Sequence, residues 1–250
     1  MKVMKVMKVM KVMKKLSVYK SSLLFILMFI SLPSLAAISF DRTRIIYNEG
    51  SESVSLKVKN ENKKLPYLAQ AWVETQTQTK TKLFAAVPPI QRVEPLDDSV
   101  IRLMANNITN KVSKDRESVF YFNLREIPPK PEHANSLQLA LQTRVKLFFR
   151  PKSIINLSKS MWQEKLKFKY VHGKFKIIND SPFYVTIINY AFNHKWVKGA
   201  APFMIEPFSS YSLSSKVNPN VFRYVYVNDF GGKPNVTVTK TKGKWGYTKN

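Results

Sequence analysis

"LQLALQTRVKLFFRP", residues 137–151, alternates strictly enough to be read as a β-strand, and its cations make it unusual among the strands of this chain. Successive side chains of a strand point to opposite faces. Leu137, Leu139, Leu141, Thr143, Val145 and Leu147 therefore share one face, and Gln138, Ala140, Gln142, Arg144 and Lys146 share the other. Arg150 and Pro151 close the run, and a proline cannot continue a central ladder, so a domain joint is expected there. Two readings of the leucines stand. As part of the domain's own core they need no comment, and periodicity alone favours this. As an edge projecting past its own sheet, which the abrupt start after a proline-rich loop suits, they would be an aggregation hazard unless another chain paired with them.

The same period-two pattern recurs every ten to fifteen residues after Ala37, and helical periodicity is hard to find, which predicts an all-β protein. Strands are expected over 38–47, 54–59, 67–74, 100–104, 119–124 and 137–149. These make six or seven strands, the number in one immunoglobulin-like sandwich. Beyond the joint, strands are expected over 165–171, 174–179, 184–192, 210–213, 222–227 and 235–239, enough for a second small sandwich. The stretch TQTQTKTK at 75–82 has no apolar face and reads as an exposed edge or hairpin. The final residues, 239–250, carry no clear constraint.

Before Ala37 the chain is of another kind. MKV repeats and seven unopposed lysines precede Leu23-Leu24-Phe25-Ile26-Leu27-Met28-Phe29-Ile30, a run too short to span a bilayer but suited to a secretory signal. Pro33 and then Ser34-Leu35-Ala36 place cleavage after Ala36. Residues 1–36 are thus a signal peptide, 37–151 a first domain and 152–250 a second. The whole chain carries +25; without its first 36 residues, 34 basic residues face 16 acidic ones, a surplus of +18. Export argues against nucleic acid as the partner of that charge, and scattered cations on polar strand faces read as solvated surface.

Little supports an enzyme. The histidines, His133, His172 and His194, show no metal-ligand spacing, cysteine is absent, no phosphate loop occurs, and Asp97-Asp98 sits in a proline-flanked turn. No cofactor or metal is expected. A carbohydrate-binding or fimbrial sandwich would need exposed aromatics, which Trp162, Trp196 and Trp245 could supply.

Several longer strings carry a resemblance. Asp41-Arg42-Thr43-Arg44, Leu65-Pro66-Tyr67-Leu68-Ala69-Gln70-Ala71-Trp72, Asp115-Arg116-Glu117-Ser118 with the run from Phe120 to Pro129, and the opening segment through Pro151 resemble the periplasmic chaperones of the chaperone/usher pilus pathway. In the second domain the similarity narrows to Asn179-Asp180-Ser181-Pro182-Phe183-Tyr184-Val185-Thr186 and Asn228-Asp229-Phe230-Gly231-Gly232.

The resemblance implies two immunoglobulin-like sandwiches in a boomerang arrangement, working in the periplasm. It implies that Leu137, Leu139 and Leu141 form a donor strand filling the groove of an incomplete pilin subunit, a pairing mode of which chaperone–pilin complexes are a standing example. It makes Arg44 and Lys146 the anchor for the subunit's C-terminal carboxylate, and Glu117, Arg150 and Asp229 a charge network between the domains. Pilin subunits and an outer-membrane usher are the implied partners, and a self-dimer of the free chaperone is left open. The short loop at 128–135 resembles the subgroup that builds rod-like pili. Leu141 and Lys146 have opposite parity, so either a bulge lies between them or the leucines and Lys146 serve opposite faces, the second being preferred.

Overall fold

The computed structural model describes residues 37–106, 111–131, 137–215 and 217–248 of the 250; residues 1–36, expected to be a signal peptide, and part of the loop at 128–135 lie outside them. The first half is built from β1 (Ile38–Phe40), β2 (Arg44–Asn48), β3 (Val54–Asn60), β4 (Tyr67–Glu74), β5 (Phe84–Val87), β6 (Ile90–Val93), β7 (Asp98–Ala105), β8 (Ser118–Ile127) and β9 (Gln142–Arg150). They form a four-stranded sheet, β1-β3-β7-β5, and a five-stranded sheet, β2-β9-β8-β4-β6. Alternation sets which residues meet between the sheets. Leu56, Val58, Ile101 and Leu103 from one sheet and Ile45, Phe122, Leu147 and Phe149 from the other are buried in a common core. Each such side chain contributes about 1.5–3 kcal/mol when removed from water.

The strand expected over 38–47 is two strands in different sheets. Ile38 and Phe40 turn inward at even positions, Ile45 and Tyr47 at odd ones, and Asp41-Arg42-Thr43 is the crossover between them. A single strand cannot change parity without a break, so the sequence itself required the switch. The crossover leaves β2 as a short strand parallel to β9, in register from Arg44 opposite Lys146 to Asn48 opposite Arg150.

The second half holds β10 (Lys167–Val171), β11 (Lys174–Asn179), β12 (Val185–Phe192), β13 (Lys195–Trp196), β14 (Phe203–Ile205), β15 (Ser209–Ser214), β16 (Val221–Val227), β17 (Asn235–Thr241) and β18 (Lys244–Thr248). Its three-stranded sheet runs β10-β11-β15. Its larger sheet runs β13-β12-β16-β17-β18, with β14 also on β12. Phe175, Phe183, Phe222 and Tyr224 fill a second, aromatic core. Core membership passes from the first to the second between Phe149 and Ile154, where a helical turn (Lys152–Ile155) begins a joint that continues through two 3-10 turns (Asn156–Lys159 and Trp162–Glu164), none of them announced by the strand pattern.

The C-terminal end is better held than expected. β18 pairs with β17, the Trp245 ring lies against Phe168 and Phe175, and the Tyr247 hydroxyl donates to the Leu166 carbonyl at 3.0 Å. Residues 75–82 form the anticipated hairpin, with Thr75 N–H donating to Thr79 O at 2.9 Å. The two halves share a corner device. Buried Asn60 donates to the Leu65 and Val93 carbonyls, and buried Asn179 donates to those of Phe183 and Glu206. An interior amide paired this way offsets its desolvation and fixes the turn that follows each strand.

Candidate functional site

β9 begins at Gln142, not at Leu137. It pairs antiparallel with β8, in unbroken register from Gln142 opposite Arg125 to Phe149 opposite Ser118. On its other side β2 covers it only from Lys146 onward. Among the described residues nothing pairs with that side of the ladder from Gln142 to Val145. Ahead of it, residues 137–141 belong to no strand; the Leu141 carbonyl accepts from Glu126 N–H at 3.0 Å, and the Gln138 amide donates to the Pro129 carbonyl at 2.6 Å.

Leu137, Leu139 and Leu141 are 88%, 71% and 49% exposed, which overturns the reading that places them in the molecule's own core. The odd-numbered face is shared all the same: Val145, Leu147 and Phe149 are 8%, 0% and 1% exposed. The leucines are in step with these residues along the chain, but they precede the first residue of β9 and are left exposed.

The three cations of the opening segment do different work. Arg144 lies with its guanidinium 3.5 Å from the centre of the Tyr121 ring and 3.6 Å from the Glu74 carboxylate. Arg150 is 3% exposed; its Nε and Nη2 donate to Glu117 Oε1 at 3.0 and 2.7 Å, and Nη2 also to Asp229 Oδ2 at 3.0 Å. Lys146 has no such partner. The β8–β9 register contains no bulge from Gln142 to Phe149, so Lys146 lies on the face opposite Val145 and Leu147.

On that second face Lys146 stands beside Arg44, its register partner on β2. Arg44 Nη1 donates to the Val227 carbonyl at 3.0 Å, its guanidinium lies 5.6 Å from the Phe148 ring centre, and its buried Nε has no hydrogen-bond partner among the described residues. Among the described residues neither cation has a carboxylate within 4.0 Å. Burial lowers the Arg44 pKa, with Asp229 and Glu117 opposing; burial and the charge of Arg44 lower that of Lys146. Two half-buried like charges side by side, with one N–H unsatisfied, favour the arrival of an anion.

Glu117, Arg150 and Asp229 are brought together. Besides Arg150, Glu117 accepts from Tyr184 N–H at 2.8 Å through Oε2, so one carboxylate, just ahead of β8, ties the first sandwich to the residue that leads into β12 of the second. Asp229 sits in the turn where Gly231, at φ +82°, passes so close to Thr43 that a Cβ would lie 2.6 Å from its hydroxyl. That approach, not visible in the sequence, requires glycine. Burial pushes the Glu117 pKa from 4.5 up to about 7, against the pull of Arg150. Between those values the folded carboxyl keeps a proton that the unfolded one has lost. The group's contribution to stability is therefore full below 4.5 and lost as pH rises through 7. Comparing wild type with Glu117→Gln in urea melts at pH 5 and pH 8, the difference between the two proteins should shift with pH in that sense. A constant difference contradicts it. Glu117→Ala, which strips a buried arginine of its main partner, should cost about 3–5 kcal/mol at pH 5 and less at pH 8.

Residues 37–155 match the family described as "Pili and flagellar-assembly chaperone, PapD N-terminal domain", and residues 161–237 match "Pili assembly chaperone PapD, C-terminal domain". The chain belongs to the PapD family of pilus assembly chaperones. It is 44% identical to the chaperone protein PapD of Escherichia coli over 203 residues, covering 80% of this chain and 84% of PapD. The crystal structure of the YadV chaperone superposes with a TM-score of 0.63 at 30% identity, over 81% of this chain and all of YadV. SafB, solved in complex with the Salmonella enterica SafA pilin, shares the fold with a TM-score of 0.70 at 23% identity, over 83% of this chain and 98% of SafB.

Membership leaves little for the carbohydrate-binding alternative, and the aromatics agree. Trp162 is 6% exposed, Trp245 packs on the second core, and only Trp196, at 40%, is open to solvent.

Proposed function

We propose that this chaperone, freed of residues 1–36, works in the periplasm as two domains, 37–151 and 152–250, and completes pilin subunits by lending them a strand. The observation that carries the reading is the half-open β9: a ladder unpaired from Gln142 to Val145, preceded by three leucines exposed on one face and followed by the Arg44–Lys146 pair. A subunit lacking one strand would take backbone hydrogen bonds from this edge and bury Leu137, Leu139 and Leu141 in its groove. Its terminal carboxylate, with about four acceptor sites, would meet Arg44 and Lys146. Fixing the terminus sets the register, since a slip of one residue would turn every leucine away from the groove. Glu117, Arg150 and Asp229 would hold the second domain at the distance that leaves room for that terminus.

No catalytic role is assigned to any residue. Free energy for release would come from exchange of this strand for another, at an outer-membrane usher. The experiment is co-expression with a pilin subunit: the reading expects a one-to-one complex that survives purification and yields the usher-bound form when a purified usher is added. A subunit recovered only as aggregate beside free chaperone contradicts it.

A further inference from the structure

The surplus charge of this chain is concentrated in its second half. Residues 37–151 carry 18 basic residues against 12 acidic, whereas residues 152–250 carry 16 against 4. The kind of cation differs too. The first half has eight arginines and ten lysines; the second has one arginine, Arg223, and fifteen lysines.

Four of these lysines lie on the outward face of the three-stranded sheet. Lys167 and Lys169 on β10 and Lys174 and Lys176 on β11 are all exposed, while Phe168, Phe175 and Ile177 between them are buried. Register places Lys169 directly opposite Lys176, and Ser214 and Ser212 of β15 opposite Lys174 and Lys176. Lys167 pairs with Asp180 at 2.6 Å; among the described residues the other three have no carboxylate within 4.0 Å.

Directly opposed like charges destabilise a strand pair, so the arrangement costs the fold something. Lysines on an edge strand are commonly a defence against unwanted pairing, and that accounts for β10. It does not account for β11, the central strand of the sheet, whose two backbone edges are already occupied.

We propose that this lysine face is a docking surface for an anionic phospholipid membrane. Its chemistry selects that partner. Protein interfaces are poor in lysine and rich in arginine and aromatic anchors, and specific recognition of nucleic acid also relies on arginine forks. Here the face offers point charges and small hydroxyls, with Val171 and Ile178 as its aliphatic members. Lysines near a membrane carrying anionic headgroups are each attracted independently of fixed geometry, and the attraction is screened by salt. Adsorbed this way, a subunit-loaded chaperone would search for its receiving machinery along a surface instead of through a volume.

The test is sedimentation of the purified chaperone, without any subunit, with vesicles of phosphatidylcholine alone or of phosphatidylcholine and phosphatidylglycerol at about three to one. Binding is expected only to the anionic vesicles, and it should disappear as salt is raised from about 20 to about 300 mM. Exchange of Lys167, Lys169, Lys174 and Lys176 for glutamine should weaken it at least about thirty-fold with the fold intact. Exchange of the exposed Lys63, Lys64, Lys80 and Lys82 of the first half, which removes equal charge, should weaken it less than about threefold. Equal loss in both variants, no binding to anionic vesicles, or sedimentation with peptidoglycan in place of vesicles overturns the assignment. Because no pilin is present, none of these outcomes depends on strand addition.

Discussion

Replacing Leu137, Leu139 and Leu141 together by serine is expected to weaken subunit binding by at least about a thousand-fold, since burial of each leucine contributes about 1.5–3 kcal/mol and about 1.4 kcal/mol is a factor of ten. The free chaperone should melt where the wild type melts. This pairing of outcomes separates the two readings of the segment. Leucines that belonged to the molecule's own core would each cost about 2–5 kcal/mol of stability when truncated, and the triple variant would not fold. At 88%, 71% and 49% exposure they have little native packing to lose. A thermal melt together with a titration against a refolding subunit reads both quantities. A large drop in melting temperature, or undiminished binding, contradicts the role given to these side chains.

Lys146→Met is expected to weaken binding by about ten- to one-hundred-fold, corresponding to about 1.5–3 kcal/mol for a charge-assisted hydrogen bond. The stem of the side chain is kept, so the half-buried position is refilled, and removal of a cation beside Arg44 relieves repulsion in the free protein. The variant should therefore be at least as stable as the wild type. The decisive comparison uses a subunit whose terminal carboxylate has been converted to an amide. If lysine and carboxylate meet, the two changes together should weaken binding scarcely more than either alone; additive losses would mean that Lys146 acts on something else. Arg44→Ala is a less clean probe, because Arg44 also donates to the Val227 carbonyl and covers Phe148.

Much of the fold was legible because alternation is a direct imprint of the pleat. β4 and β11 follow the boundaries read from their side chains, and β3, β8, β12 and β16 differ by a few residues at their ends. What escaped notice was short or lay at sheet edges. β5, β6, β13 and β14 have two to four residues each, too few for a period to show, and β18 follows a lysine-rich turn that resembles a solvated tail. The division of 38–47 into β1 and β2 was recoverable. Its inward residues change parity across Asp41-Arg42-Thr43, and no single strand of a two-sheet sandwich can do that.

The candidate site shows a different limit. Periodicity put the leucines in step with Val145 and Leu147, and from this their burial followed by analogy, which the exposure of all three overturns. A face and its covering are separate properties. The first is written in the chain; the second depends on where β8 ends and how far β2 reaches, both set by partners distant in sequence. The cations were equally ambiguous alone. Nothing in the identities of Arg144, Lys146 and Arg150 says that the first is stacked and paired, the last is buried in a carboxylate bridge, and the middle one is left beside Arg44 without a counter-ion. Only the resemblance to the chaperones named Lys146 and Arg150, and the parallel β2–β9 register puts Lys146 beside Arg44.

The open side of β9 is most directly tested by amide hydrogen exchange over residues 137–145 in the free chaperone and in its complex with a subunit. In the free protein the outward-facing amides of this stretch have no ladder partner and should exchange quickly; in the complex, alternate amides should slow by at least about a hundred-fold as they donate to the added strand. Unchanged exchange here, with protection appearing elsewhere on a chaperone that still holds its subunit, would contradict strand addition at this edge.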